Sequence, residues 1–169
     1  MKKRKKIITV AIDSPAAAGA GTQAKLIAKH YNLLYLDTGK IYRLFGKIRL
    51  NNKENFTYKL VKKEIKNLKF KDLDKKELLN DNVAVSASII AKNFEIRKII
   101  KKFQLKCAFN PPRNFVGSVL DGRDITSVIM KKAMFKFYIT ANLKIRAKRR
   151  YKEFKKLKKK ISYKEVLKS

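Results

Sequence analysis

Ile7, Ile8, Thr9, Val10, Ala11 and Ile12 form an unbroken apolar and β-branched run that ends at Asp13. With no polar alternation, such a run predicts a strand buried on both faces, the environment of a parallel sheet. A stretch of small residues follows: Ser14, Pro15, Ala16, Ala17, Ala18, Gly19, Ala20, Gly21 and Thr22. From residue 23 to 31, Ala24, Ile27, Ala28 and Tyr31 then recur at helical spacing, and Asn32 permits the stop. A second short apolar run, residues 33–36, ends at Asp37. The order strand, loop, helix, strand is a βαβ unit, which commits the chain to a parallel sheet covered by helices.

The rest of the chain extends that plan. Thr38 is expected to cap a helix carrying Ile41, Tyr42, Phe45 and Ile48. From residue 51 to about 92 the sequence turns rich in Lys, Asn and Asp, with short helical patterns over 60–68 and 83–91, and reads as an inserted, mostly helical segment. Residues 94–109 predict a longer helix, stopped by Asn110-Pro111-Pro112. A third strand is expected over 116–120, again ending at an aspartate, Asp121, and a fourth over 135–139. Residues 142–157 predict a very basic helix, and the run Lys155-Lys156-Leu157-Lys158-Lys159-Lys160 is expected to be solvated and mobile.

At 169 residues, 45% of them hydrophobic, the chain suits one domain with a real core. No apolar run approaches the roughly 20 residues of a membrane span, and the run after the basic residues 1–6 is too short for a signal peptide. With a single cysteine, Cys107, no intrachain disulfide is possible; Cys107 is expected to be a buried small apolar residue and the protein cytoplasmic. The net charge of +31 raises the question of a polyanionic partner. Yet only nine of the 44 cationic residues are Arg, and Lys, Ile, Asn, Phe and Tyr are abundant together, as A- and T-rich codons produce. The arginines are therefore the more informative cations, because a planar fork grips phosphate bidentately and lysine does not.

In an open parallel sheet, ligands bind outside the carboxyl ends of the strands. The small-residue loop after the first strand suits an anion: tiny side chains let backbone N–H groups approach, and the following helix points its positive end at them. Thr22 is placed to contact Mg²⁺. The frame is that of a phosphate-binding loop, but Ala20 stands where such a loop carries lysine. After the second strand come Asp37, Thr38, Gly39, Lys40, Ile41, Tyr42 and Arg43; after the third, Asp121, Gly122, Arg123 and Asp124. Arg43 and Arg123 together would grip a phosphate monoester. Asp121 and Asp124 flank Arg123, and three roles stay open for them: orienting it, holding a metal's water shell, or contacting a sugar or base. His30 reads as a helix C-terminal cap.

Taken in order, "IDSPAAAGAGTQAKLIAKHY", "LLYLDTGKIYR", "SASIIAKNFEIRKIIKKFQ", "VLDGRDITSVI" and "FYITANLKIRAKRRYKEF" resemble the bacterial cytidylate kinases of the nucleoside monophosphate kinase group. The resemblance implies a P-loop α/β fold of three layers, α/β/α, with a central parallel sheet, a small helical insert for the nucleotide monophosphate and a basic lid helix. It divides the single domain of residues 1–169 into a core of about 1–50 and 105–142, an insert of about 51–104 and a lid of about 143–169. The activity implied is transfer of the γ-phosphate of ATP, with Mg²⁺, to CMP or dCMP, a step of pyrimidine nucleotide metabolism.

By the same resemblance, Ser14, Pro15, Ala16, Ala17, Ala18, Gly19, Ala20, Gly21 and Thr22 hold the ATP phosphates, and Arg43 and Arg123 hold the acceptor phosphate. Ser88, Arg97 and Asp124 recognise cytosine, Thr38 and Tyr42 complete the acceptor pocket, and Arg146, Arg149 and Arg150 begin the lid, with Arg149 and Arg150 catalytic. The sequence departs from the family at Ser14 and Ala20, where the family has glycine and lysine. It also holds no match for the family's further lid residues, final strand and final helix.

Lys25 lies about 140° around the helix from Ala20 at 3.6 residues per turn, so it points the wrong way to replace the lysine. Lys40, beside the acceptor loop, is the expected substitute. Two other functions remain open: a degenerate nucleotide-binding protein with little turnover, and a basic nucleic-acid-binding protein. The last lacks the interleaved aromatic platform of single-strand binders, so neither nucleic acid nor membrane is an expected partner, and a monomer is expected.

Overall fold

The computed structural model describes residues 7–157 and 161–168. The basic residues 1–6, and Lys158, Lys159 and Lys160 of the lysine run, lie outside the described residues.

Among the described residues four strands, β1 (Ile8–Asp13), β2 (Leu33–Asp37), β3 (Gly117–Gly122) and β4 (Phe135–Tyr138), form one parallel sheet in the order β2-β3-β1-β4. β1 lies between β3 and β4, with Ile12 opposite both Asp121 and Phe137. The helices are α1 (Ala20–His30), α2 (Thr38–Asn51), α3 (Tyr58–Asn67), α4 (Asp81–Lys92), α5 (Phe94–Phe109), α6 (Leu143–Lys156) and α7 (Tyr163–Lys168). Two 3₁₀ turns, Phe70–Asp74 and Lys76–Leu79, connect α3 to α4.

Alternate residues of each strand feed opposite faces of the sheet, as the two-residue period requires. Ala11, Leu34, Leu36 and Leu120 enter a large apolar cluster with Ile41, Phe45, Val61, Leu73, Ile90, Ile96, Ile100 and Cys107. Val10, Ile12, Leu33 and Val119 meet Ala20, Ala24 and Ala28 of α1 on the other side. The three-layer α/β/α arrangement therefore follows from the strand sequences. Because Val61, Leu73 and Ile90 share a core with Ala11 and Leu120, the helical segment after α2 is packed onto the sheet. Gly46 makes part of this possible: a β-carbon there would stand 2.7 Å from Val83 O on α4. Cys107 is buried as expected, and burial pushes its thiol up to about 11.

Several boundaries differ from the sequence reading, each for a local reason. α1 begins at Ala20, because left-handed Gly19 (φ 101°) turns the chain straight into the helix. It stops at left-handed Asn32 (φ 51°), and His30 packs edge-on against Tyr31, ring centroids 4.6 Å apart, while Tyr31 takes the C-cap position. The cap of α2 is Asp37, whose Oδ1 accepts from Lys40 N at 3.3 Å. Thr38 is the first helical residue, and its hydroxyl is used elsewhere. β3 starts at Gly117 and runs through Asp121 to Gly122, so Asp121 is a strand residue. β4 ends at Tyr138. Lys155 and Lys156 are exposed, as expected, but belong to the end of α6.

Candidate active site

The small-residue loop is a compact turn at the carboxyl end of β1. Ser14 N donates to Gly122 O at 3.0 Å, tying the loop to the end of β3, and Ala18 N donates to Pro15 O at 3.3 Å. Ala17 takes a positive φ of 59°, a conformation that costs an L-residue roughly 1–2 kcal/mol. Ala16 and Thr22 are exposed, while Ala18 and Ala20 are buried, the latter in the apolar cluster beneath α1. Thr22 N and Gln23 N turn back to Gly19 O at 3.2 Å. Thus the backbone of the loop is formed and the first turn of α1 faces its mouth.

Beside this loop sits a carboxylate pair. A β-carbon on Gly21 would lie 3.4 Å from Tyr35 Oη and 3.5 Å from Asp121 Oδ2. Burial, then the charge of Asp37, pushes Asp121 up to about 7, and burial together with Asp121 raises the Tyr35 phenol well above its ordinary value. Asp121 Oδ1 is buried without a hydrogen-bond partner. An orphaned oxygen on a carboxylate that lies beside Gly21, the chain neighbour of Thr22, fits a hydrated divalent cation, which keeps several waters and leans on few protein ligands. The described residues hold no cluster of three or more His, Cys, Asp or Glu side chains that would bind a metal alone.

On the opposite side, the ends of β2 and β3 are locked together. Thr38 Oγ1 donates to Asp121 O at 2.8 Å, and a β-carbon at Gly122 would collide with that same hydroxyl oxygen. Asp13 carries most of the local bonding: its buried carboxylate accepts from Ile125 N at 2.6 Å, Thr126 N at 3.0 Å and the Thr126 hydroxyl. The chain there forms a wide π turn, Ile125–Ile129, with Ile129 N bonded to Asp124 O at 3.1 Å. These bonds fix the segment carrying Arg123 and Asp124. Sequence reasoning missed Asp13 in this role; the signal was an aspartate closing a strand otherwise buried on both faces.

Asp124 meets Arg97 of α5 in an ion pair, and Arg97 Nη1 also donates to Ala91 O at 3.3 Å. Tyr42 is half-buried nearby; burial raises its phenol while Arg97 pulls it the other way. Arg97, Asp124 and Tyr42 are therefore brought together from three separate elements. Arg43 Nη1 donates to Leu78 O at 2.9 Å. With Asp37, Gly39, Lys40, Leu78 and Glu153 it lines a cavity of about 280 Å³ bounded by the start of α2, the 3₁₀ turns of residues 73–79 and α6. Arg123 is exposed, with no side-chain partner among the described residues. Ser88 is exposed too, and its hydroxyl donates to Val85 O of its own helix at 2.7 Å.

The cations near the phosphate loop are distributed differently from the sequence expectation. Lys40 Nζ bonds Asp74 Oδ1 at 2.7 Å, so its charge is held at the helical insert. Lys25 lies over the Tyr35 ring, 5.8 Å from its centroid. Arg150 pairs with Glu153 at 2.8 Å and stacks on Phe154 within α6. Arg149 alone among these four is bonded to the loop: its Nη1 donates to Ala18 O at 2.8 Å and lies 3.4 Å from Ala17 O. No helix among the described residues is long and apolar enough to cross a membrane.

The sequence that builds this site is similar to sequences of known proteins. The cytidylate kinase family model matches residues 10–169. A cytidylate kinase of Clostridium tetani is 39% identical, covering 95% of this chain and 74% of the relative. The Bartonella tribocorum enzyme of the same name is 42% identical over 96% of this chain and 74% of its own length, and that of Fusobacterium nucleatum is 41% identical over 96% and 77%. Coverage of this extent, joined to a parallel sheet with a compact small-residue turn at the end of β1, establishes that the chain belongs to the cytidylate kinase family.

Proposed function

We propose that this protein transfers the γ-phosphoryl group of ATP to CMP or dCMP, giving ADP and the cytidine diphosphate. The observation that carries the reading is the juxtaposition of Arg97, Asp124 and Tyr42 beside the strand ends that also carry the phosphate-binding loop. A cytosine edge offers an amine donor and two acceptors, and an arginine beside a carboxylate answers both. The helical segment after α2 is then the monophosphate-binding insert, and α6 the lid.

Such a transfer needs no protein nucleophile. An acceptor phosphate oxygen bonds to the γ-phosphorus as the bond to the β-phosphate bridging oxygen breaks, and the protein positions both groups and offsets charge. The backbone N–H groups at the start of α1 hold the donor phosphates. Arg43 and Arg123, one at the cavity wall and one exposed after β3, take the acceptor phosphate, and Thr38 keeps the two strand ends in register. Thr22, with Asp121 behind Gly21, would hold Mg²⁺. Bound there, the ion would neutralise charge on the phosphate oxygens. Ser88, exposed on α4, would contact the base once its hydroxyl leaves Val85 O.

The test is a coupled assay with ATP and Mg²⁺ against CMP, dCMP, UMP and AMP. Diphosphate from the cytidine nucleotides in clear preference to the others is the expected result. Tight CMP binding without diphosphate would instead favour a nucleotide-binding protein that has lost turnover.

A further inference from the structure

A phosphate-binding loop ordinarily sets a lysine at residue 20, whose ammonium reaches the β- and γ-phosphates. Here Ala20 is 3% exposed, and its methyl packs with Val10, Ile12 and Ala24. No side chain of the loop itself carries positive charge. Yet the guanidinium of Arg149, some 130 residues further along, rests on the loop. A β-carbon on Gly19 would be 3.2 Å from Nη1, so that atom sits directly over the residue that precedes Ala20. Three other cations of this region have partners elsewhere: Lys40 is held by Asp74, Arg150 by Glu153 and Phe154, and Lys25 by the Tyr35 ring.

We infer that Arg149 takes over the duty of the missing loop lysine, supplying from α6 the positive charge that residue 20 lacks. The chemistry supports the exchange. A guanidinium has five N–H donors in a rigid fork; one N–H group engaged with the Ala17 and Ala18 carbonyls leaves others free for phosphate oxygens. Because arginine stays charged and presents a planar fork, it suits the gripping of phosphate oxygens better than a lysine would. The same contact couples lid and loop: α6 is held against the donor site by the residue that also carries its charge. The inference rests on the phosphotransferase reading for its kinetic consequence, and on the contact itself for its effect on ATP binding.

The experiment compares Arg149→Gln, Arg149→Lys, Ala20→Lys and the double variant Arg149→Gln/Ala20→Lys with the native protein, and Lys152→Gln, an exposed change on the same helix, serves as control. Calorimetry measures the Kd for ATP without acceptor, and steady-state kinetics measure kcat and each KM. Loss of a preorganised cation predicts that Arg149→Gln lowers kcat by about 10²-fold and weakens ATP about tenfold, with KM for CMP unmoved. Arg149→Lys should restore part of the loss. Ala20→Lys should rescue the Arg149→Gln background far more than it improves the native one. ATP affinity and kcat unchanged in Arg149→Gln would overturn the proposal. So would equal losses for ATP and CMP with a lowered Tm, which would mark a merely structural tether. If Ala20→Lys does not fold, the Gln-against-Lys comparison at position 149 still decides. Absence of transfer in the native protein would defeat the phosphotransferase reading while the ATP-affinity arm still judged Arg149.

Discussion

Around the ends of β2 and β3, where the acceptor is proposed to bind, side chains from four segments lock the structure: Asp13 of β1 holds the turn after β3, Thr38 of α2 holds the end of β3, and Arg97 of α5 pairs with Asp124 of that turn. At the small-residue loop, where the donor is proposed to bind, the backbone bonds to itself, holds a left-handed alanine and, among the described residues, receives the Arg149 guanidinium from α6. On the proposed function, the contrast follows from what each side would recognise. A base edge is read by donors and acceptors at fixed positions, which demands oriented side chains. Phosphate oxygens can be met by backbone N–H groups, which a compact turn provides without side chains.

The difference can be broken most sharply at Asp13. Asp13→Ala leaves the buried N–H donor of Ile125 and the part-buried one of Thr126 without their acceptor, at about 1–3 kcal/mol each. A Tm lowered by roughly 10 °C in calorimetry is expected, since about 3 kcal/mol shifts a chain of this size by a few degrees per kcal/mol. Next is the reading pair. Arg97→Ala or Asp124→Asn should raise KM for CMP by roughly 10- to 100-fold, the worth of one hydrogen bond to a charged group, while KM for ATP stays level. Equal effects on both substrates would erase the proposed division between the two sides.

Asp121 lies between the two and predicts a pH signature. Its folded-state pKa of about 7 is above the ordinary carboxylate value of about 3.9. Between those values the folded protein retains a proton that the unfolded chain has released. The stability contributed by this group is therefore full below about pH 4, falls as pH rises toward 7 and is lost above it, at no more than about 1.4 kcal/mol per pH unit. Melting the nucleotide-free protein from pH 5 to 8 should show a decline that Asp121→Asn removes. The smallest expected effect is at Ala17, where glycine relieves the positive φ: Ala17→Gly should gain about 0.5–1 kcal/mol, seen as a Tm rise of a few degrees, with little change in kcat.

Much of the fold was legible because its signals are local. The unbroken apolar runs predicted buried strands, and β1, β2, β3 and β4 stand within a residue or two of the expected places. Cys107 was rightly placed in the core. The cap of α2 was misplaced by one residue, because Asp37 and Thr38 can both cap. The choice was made by Asp121 O, 83 residues away, which claims the Thr38 hydroxyl. Lys40 was expected near the donor phosphates, but Asp74 lies on a connection whose path the local pattern did not reveal. Asp13 went unrecognised since its three donors lie more than a hundred residues downstream.

By itself the sequence determined the strand–loop–helix frame, the family and the residues available for chemistry, because periodicity, small-residue loops and ordered motifs are properties of neighbouring positions. Only the tertiary structure decided which charge meets which. Electrostatic and hydrogen-bond partners are set by distance in space, and chain separation carries no information about them. The alanine at position 20 shows both halves: the sequence exposed a missing cation, and the folding of α6 onto the loop placed Arg149 beside the gap.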